Sequence, residues 1–256
     1  MRYLSRLTLR RDPGTAALRD LIDPVDRRTA KGQGRAADAH HRLIWSAFGD
    51  GPERDRDFLW RAEGRGRFYT LSARPPLPSA LFEPPETKPF DVALMPGDRL
   101  RFVLRANAVA SLPGEPLSDG RRARGRKVDV AMKALHAVSA RDTSSPDADG
   151  PGGAQEPSER ARVRDAIAQR EAFGWLARQG AAHGFEPDEA TFQLEGYRTV
   201  ALPGHRGKRR GEPRFGVFDM GGTLAVHEPE PFVAAIAQGF GRAKAFGCGL
   251  MLIRRA

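Results

Sequence analysis

Two adjacent histidines, His40 and His41, stand inside the stretch ADAHHRLIWSAF, which closes on Phe48. An imidazole has an unperturbed pKa of about 6.5, so either ring could take up and release protons near neutral pH. As a metal-binding pair they are poorly spaced: neighbours on a helix diverge by about 100°, whereas paired helical ligands sit three or four residues apart. His136, His183, His205 and His227 show no ligand spacing either. Cys248 is the only cysteine, which excludes an internal disulfide and a multi-thiolate zinc site. No metal or other cofactor is expected.

The stretch has helical periodicity from about Ala36 to Phe48. With successive residues about 100° apart, Ala36, Leu43, Ile44, Ala47 and Phe48 share one apolar face with His40. His40 is therefore expected to face the core. His41 falls between Phe48 and Trp45, where the apolar stripe meets solvent, and Arg42 points outward. A border position gives a ring packing support and an open edge. The plainer reading, that both histidines are structural, remains beside it.

A second chemical candidate is GFGRAKAFGCGL (239–250), with glycines at 239, 241, 247 and 249 around Lys244. Such a loop could bring backbone N–H groups to an anion. It matches no nucleotide fingerprint, because it follows a helix rather than a strand, and a tight helix-to-strand connection is the competing reading. Two basic clusters complete the list. GHRGKRRGE (204–212) carries Arg206, Lys208, Arg209 and Arg210; GRRARGRK (120–127) carries Arg121, Arg122, Arg124, Arg126 and Lys127.

Elements must position these groups. The 256 residues are enough for two compact domains. Hydrophobic content of 40% with 29% charged residues is that of a globular chain, with no apolar run long enough for a bilayer. The start, MRYLSRLTLRRD, lacks a signal core and alternates as a strand would, so a cytoplasmic location is expected. Lys and Arg number 42 against 32 acidic residues, a net charge of +10, which favours a polyanionic partner.

Along the chain, a strand (3–9) precedes a basic loop (23–35) and the histidine helix. A hairpin (56–63, 67–73) follows, then a Pro-rich connection (74–89) with room for one helical turn, then a strand (97–109). That order predicts a ferredoxin-like unit. A possible strand (125–132), a helix (160–180), strands from TFQLEGYRTVALP and RFGVFDMGGTLAVHE, a helix (230–238) and a last strand GLMLIR repeat the plan. The predicted class is α+β, tandem ferredoxin-like (RRM-like) βαββαβ domains at 1–110 and 111–256. Residues 139–159, rich in small and turn-forming types, are predicted to be a disordered insert.

YLSRLTL, the HRLIWSAF helix, KPFDVALMPGDRLRFVLRAN (88–107) and the glycine-rich tail together resemble the CasE family, the CRISPR precursor-RNA endoribonucleases of the type I-E Cascade system. The resemblance implies two ferredoxin-like domains that bind a repeat RNA hairpin and cut at its 3′ base without a metal. The RNA's own 2′-hydroxyl attacks, leaving a 2′,3′-cyclic phosphate and a 5′-hydroxyl. The family histidine aligns with His41. Some members carry a tyrosine three residues before it, where this chain has Asp38, which leaves Asp38, Tyr3 or Tyr69 to orient the reaction.

Arg42, within the aligned block, and Arg35 are the candidates for stabilising phosphate charge. RNA contacts are expected from Arg35, Lys244 and the two basic clusters, with the 204–212 hairpin tip entering the stem and 120–127 gripping its backbone. The partners implied are the CRISPR repeat RNA hairpin and a Cascade backbone subunit, with no membrane. A non-catalytic RNA-binding subunit of the same complex is the alternative, in which the missing tyrosine marks lost activity.

Overall fold

The computed structural model describes residues 1–12, 15, 29–51, 53–114, 121–123, 125–139, 159–204 and 212–256, excepting the side chains of 136–139 and 159–161. The first sheet is antiparallel in the order β2-β3-β1-β4, from β1 (Tyr3–Thr8), β2 (Phe58–Gly64), β3 (Arg67–Ser72) and β4 (Glu86–Pro89). Alternation in β1 sends Leu7 to one face and Leu4 to the other. Leu7 joins Phe58, Trp60, Phe68 and Phe82 in a core covered by Leu43, Ile44, Ala47 and Phe48 of helix α1 (Ala30–Trp45). Each buried leucine, isoleucine or phenylalanine among them contributes about 1.5–3 kcal/mol. The opposite face, through Leu4, Leu59, Leu71 and Tyr69, packs into the larger core.

The second sheet runs β11-β5-β10-β8, with β9 also paired to β10. Its strands are β5 (Arg99–Ala106), β8 (Phe185–Pro187), β9 (Gln193–Ala201), β10 (Arg214–Val226) and β11 (Met251–Arg255). Helices α3 (Glu159–His183) and α4 (Pro229–Gln238) complete this unit. Between β5 and α3 lie a small hairpin, β6 (Val109–Leu112) with β7 (Arg126–Asp129), and helix α2 (Val130–Ser139). The class is α+β with two ferredoxin-like units.

Four sequence expectations change. Helix α1 starts at Ala30, six residues before the expected Ala36, because Thr29 caps it by accepting from the Gly32 N–H at 3.0 Å. Gly32 and Gly34, poor helix formers, made that turn read as loop. The Pro-rich connection forms no helix among the described residues; its end is β4, paired with β1 from Tyr3↔Pro89 to Arg6↔Glu86.

The 97–109 strand, expected to close the first unit, hydrogen-bonds in the second sheet between β10 and β11. Period-two alternation identifies a strand without naming its partners. The 125–132 segment, expected as a strand of the second unit, splits at Asp129: among the described residues β7 pairs only with β6, and the Asp129 carboxylate then starts α2 by accepting from the Met132 N–H at 3.0 Å. Residues 140–158, the bulk of the expected disordered insert, lie outside the described residues. No described helix is long and apolar enough to cross a membrane.

Candidate functional site

Helix α1 is seated between the two halves. One side packs on the first sheet, and at Gly34 the other side meets β9 so closely that an added Cβ would collide with the Ala201 carbonyl. His40 faces inward as expected: its ring meets Phe68 and Trp60 edge-on, with centroids 5.1 and 6.0 Å apart. His41 is half-buried one step round the helix. The Trp45 indole N–H donates to its Nε2 at 2.9 Å, which sets the neutral tautomer with the proton on Nδ1.

The glycine-rich tail comes to the same place. Phe246, in a short 3₁₀ turn (Lys244–Phe246), lies with its ring centroid 6.1 Å from that of His41. Trp60 holds this turn, its indole N–H donating to the Ala245 carbonyl at 3.2 Å. Gly247 follows with φ +77°, and a Cβ there would stand 2.9 Å from the Trp60 ring. Only glycine meets both demands.

The expected anion cradle differs from what is found. Backbone N–H groups of the tail are engaged inside the fold, Phe240 to Gly249 O, Arg242 to Asn107 O and Gly249 to Arg105 O among them. Lys244 directs its ammonium to the Gln238 carbonyl at 2.8 Å, and burial, then nearby Arg56, pushes its pKa below the ordinary lysine value.

Asp38 and Arg42 pair with each other: the Arg42 Nε donates to Asp38 Oδ2 at 3.1 Å, one helical turn apart, with the arginine 79% exposed. Of the tyrosines considered, Tyr69 packs on the sheet face away from α1, and the Tyr3 hydroxyl is 3.9 Å from the Met1 sulfur. Arg35 is exposed on α1. In the 120–127 cluster Arg121 is exposed, Arg122 reaches the Gly114 carbonyl at 3.4 Å, Arg126 is exposed on β7, and Lys127 bonds the Ser111 hydroxyl. Arg124, Arg206, Lys208, Arg209 and Arg210 lie outside the described residues. The strands flanking the 204–212 cluster pair antiparallel as far as Ala201↔Arg214, with the Leu202 N–H on Pro213 O.

Three site features were not read from the sequence. Trp45 could have been, since it stands four residues after His41 and so on the same face. Phe246 had no local signal. Nor did the ion cluster of Arg105 on β5, Asp219 on β10 and Arg198 on β9. Burial works to raise the Asp219 carboxyl, yet the charges and hydrogen bonds of both arginines hold it below the usual carboxylate range. Arg105 also donates to the Ala62 carbonyl at 3.3 Å, joining this cluster to the first sheet.

Solved structures share the fold. A CRISPR endoribonuclease Cse3 bound to a 19-nucleotide RNA is 24% identical, covering 99% of this chain and 100% of that one, with a TM-score of 0.59. Thermus thermophilus Cse3 bound to an RNA representing a pre-cleavage complex is also 24% identical, over 99% and 98% of the two chains, with a TM-score of 0.57. A chain of a CRISPR RNA-guided surveillance complex in a pre-nicking state is 17% identical over 99% and 100%, with a TM-score of 0.52. No match is found among curated proteins. The profile of the family described as CRISPR associated protein spans residues 2–255, and the chain belongs to that family.

Proposed function

We propose that the chain is a metal-independent endoribonuclease that cuts CRISPR repeat precursor RNA at the 3′ base of its hairpin and stays on the product within Cascade. The observation that carries this reading is the His41 imidazole, seated by Trp45 and Phe246 at the junction of the histidine helix and the glycine-rich tail. Family membership and the RNA-bound endoribonucleases of the same fold support it.

In this reading the ribose 2′-hydroxyl attacks the adjacent phosphorus as its proton leaves, and the 5′-oxygen departs with a proton. His41 takes part as the acid or base through Nε2, which the Trp45 N–H yields when RNA is bound, Arg42 and Arg35 offset phosphate charge, and the basic segments at 120–127 and 204–212 hold the RNA with Lys244. Asp38, paired with Arg42, orients that guanidinium rather than the ribose.

Incubating the chain with its own repeat RNA in EDTA tests the reaction. A single cut ending in a 2′,3′-cyclic phosphate is expected, with His41→Ala at least about 100-fold slower and RNA affinity nearly unchanged. Equal cutting by His41→Ala would remove that residue from the chemistry. A wild-type chain that binds the hairpin without cutting would establish the second reading, a non-catalytic hairpin-binding subunit, which Asp38 in the tyrosine position favours.

A further inference from the structure

Leu100, Phe102 and Leu104 of β5 turn into the core shared with α3 and α4, so alternation sends Arg101 and Val103 to the opposite face of the second sheet. A groove of about 590 Å³ crosses β5, β10 and β11 on that face. Small-molecule sites span roughly 300–1,000 Å³. No residue of α1 or of the glycine-rich tail lines the groove, which sets it apart from His41.

Two rungs of the sheet build it. Arg254, Arg101 and Thr223 stand side by side on one, and Leu252, Val103 and Gly221 on the next. Arg101 and Arg254 are both exposed, and like charges placed directly opposite repel. Neighbouring arginines have acids: Arg99 pairs with Asp188, Arg105 and Arg198 with Asp219, and Arg255 with Asp98. Arg101 and Arg254 have none among the described residues. Two unneutralised guanidinium forks on one rung make a seat for phosphate.

Gly221 points to a ligand independently. It lies inside β10, its φ is not left-handed, and a Cβ there would make only ordinary contacts, 3.4 Å from Glu195 Oε1 and 3.6 Å from Phe102 O. The fold therefore does not demand glycine at this point. A glycine weakens a strand interior and marks where another group approaches closely.

Glu195 overhangs the Gly221 floor, exposed and without an ion pair among the described residues. Same-face rungs lie about 7 Å apart, the reach of a ribose 5′-phosphate from its phosphate to its hydroxyls. A carboxylate that accepts from those hydroxyls is a recurrent way to hold ribose. Val103 and Leu252, both half-buried, give a base an apolar rest.

We propose that this groove binds a ribonucleotide, its phosphate between Arg101 and Arg254 and its ribose hydroxyls on Glu195, either free or as one unit of a single RNA strand. The test is calorimetry of the purified full chain with AMP, adenosine, dAMP and hexaadenylate. AMP is expected to bind about tenfold tighter than adenosine and roughly fivefold tighter than dAMP. Arg101→Gln and Gly221→Val should each weaken AMP at least about tenfold, and Glu195→Ala should remove the preference over dAMP, all three melting as folded proteins. No AMP binding at about 10 mM, equal affinity for adenosine, or AMP affinity unaltered in Arg101→Gln would overturn the groove. Discrimination against dAMP that survives Glu195→Ala would overturn the ribose contact. Hexaadenylate held more than about tenfold tighter than AMP, and released by Arg254→Gln, would name an RNA strand as the occupant; equal affinities would name the free nucleotide. None of these readouts involves cleavage, so the groove and the nuclease reading stand or fall separately.

Discussion

At the scale of single residues, the proposed chemistry centres on one imidazole and what holds it. The Trp45 N–H on Nε2 sets the tautomer of His41, so in the proposed reaction Trp45 is a positioning residue. Trp45→Phe keeps an aromatic body against Phe58 and loses the donor. Single-turnover cleavage should slow by roughly tenfold, with the pH–rate profile displaced and RNA affinity retained. An unchanged rate and profile would reduce Trp45 to packing. The border position of His41 and its neighbour four residues on were legible from helical spacing. Phe246 was not, since nothing local ties it to a residue about two hundred positions earlier.

At the scale of elements, α1 is useful only where it sits. Its Gly34 turn lies against the β9 backbone, which cannot yield as a flexible side chain would. Gly34→Ala should therefore destabilise the chain by about 3 kcal/mol in urea unfolding, whereas Gly51→Ala, with nothing within 4 Å of the new methyl, should change little. Equal stability of the two variants would mean that α1 is not seated this tightly. Local pattern located the apolar face of α1 correctly and misplaced its start, because Gly34, which lowers helix propensity, is present for close approach to β9. The same limit applied to β5, whose alternation announced a strand and left its sheet undecided.

At the scale of the whole molecule, Arg105 ties the second sheet to the Ala62 carbonyl of the first, while within the second sheet it and Arg198 hold Asp219, whose carboxylate is 12% exposed. Asp219→Ala would strand two arginines and cost about 3–5 kcal/mol at neutral pH. Because the folded carboxyl titrates below its ordinary 3.8, its contribution is complete above that pH and disappears as the pH falls through the lower folded value. Thermal melts of wild type and Asp219→Asn should thus converge in strong acid and diverge at neutrality; a constant gap would dissociate the cluster from stability. The net charge of +10 has its own test. Charge reversal at Arg209 and Arg210 should weaken repeat-RNA binding and flatten its dependence on salt, and an unaltered slope would move the RNA elsewhere.

By itself the sequence determined the α+β class, the run of strands and helices, the basic character and the family blocks. The first three follow from local periodicity and composition, which need no partner to be read, and the family blocks rest on resemblance. Tertiary structure decided which sheet β5 joins, how near α1 comes to β9, and that Phe246 and the Arg105–Asp219–Arg198 cluster gather around the histidine helix. Those facts depend on contacts between residues far apart in the chain, and such contacts exist only once the two sheets have packed.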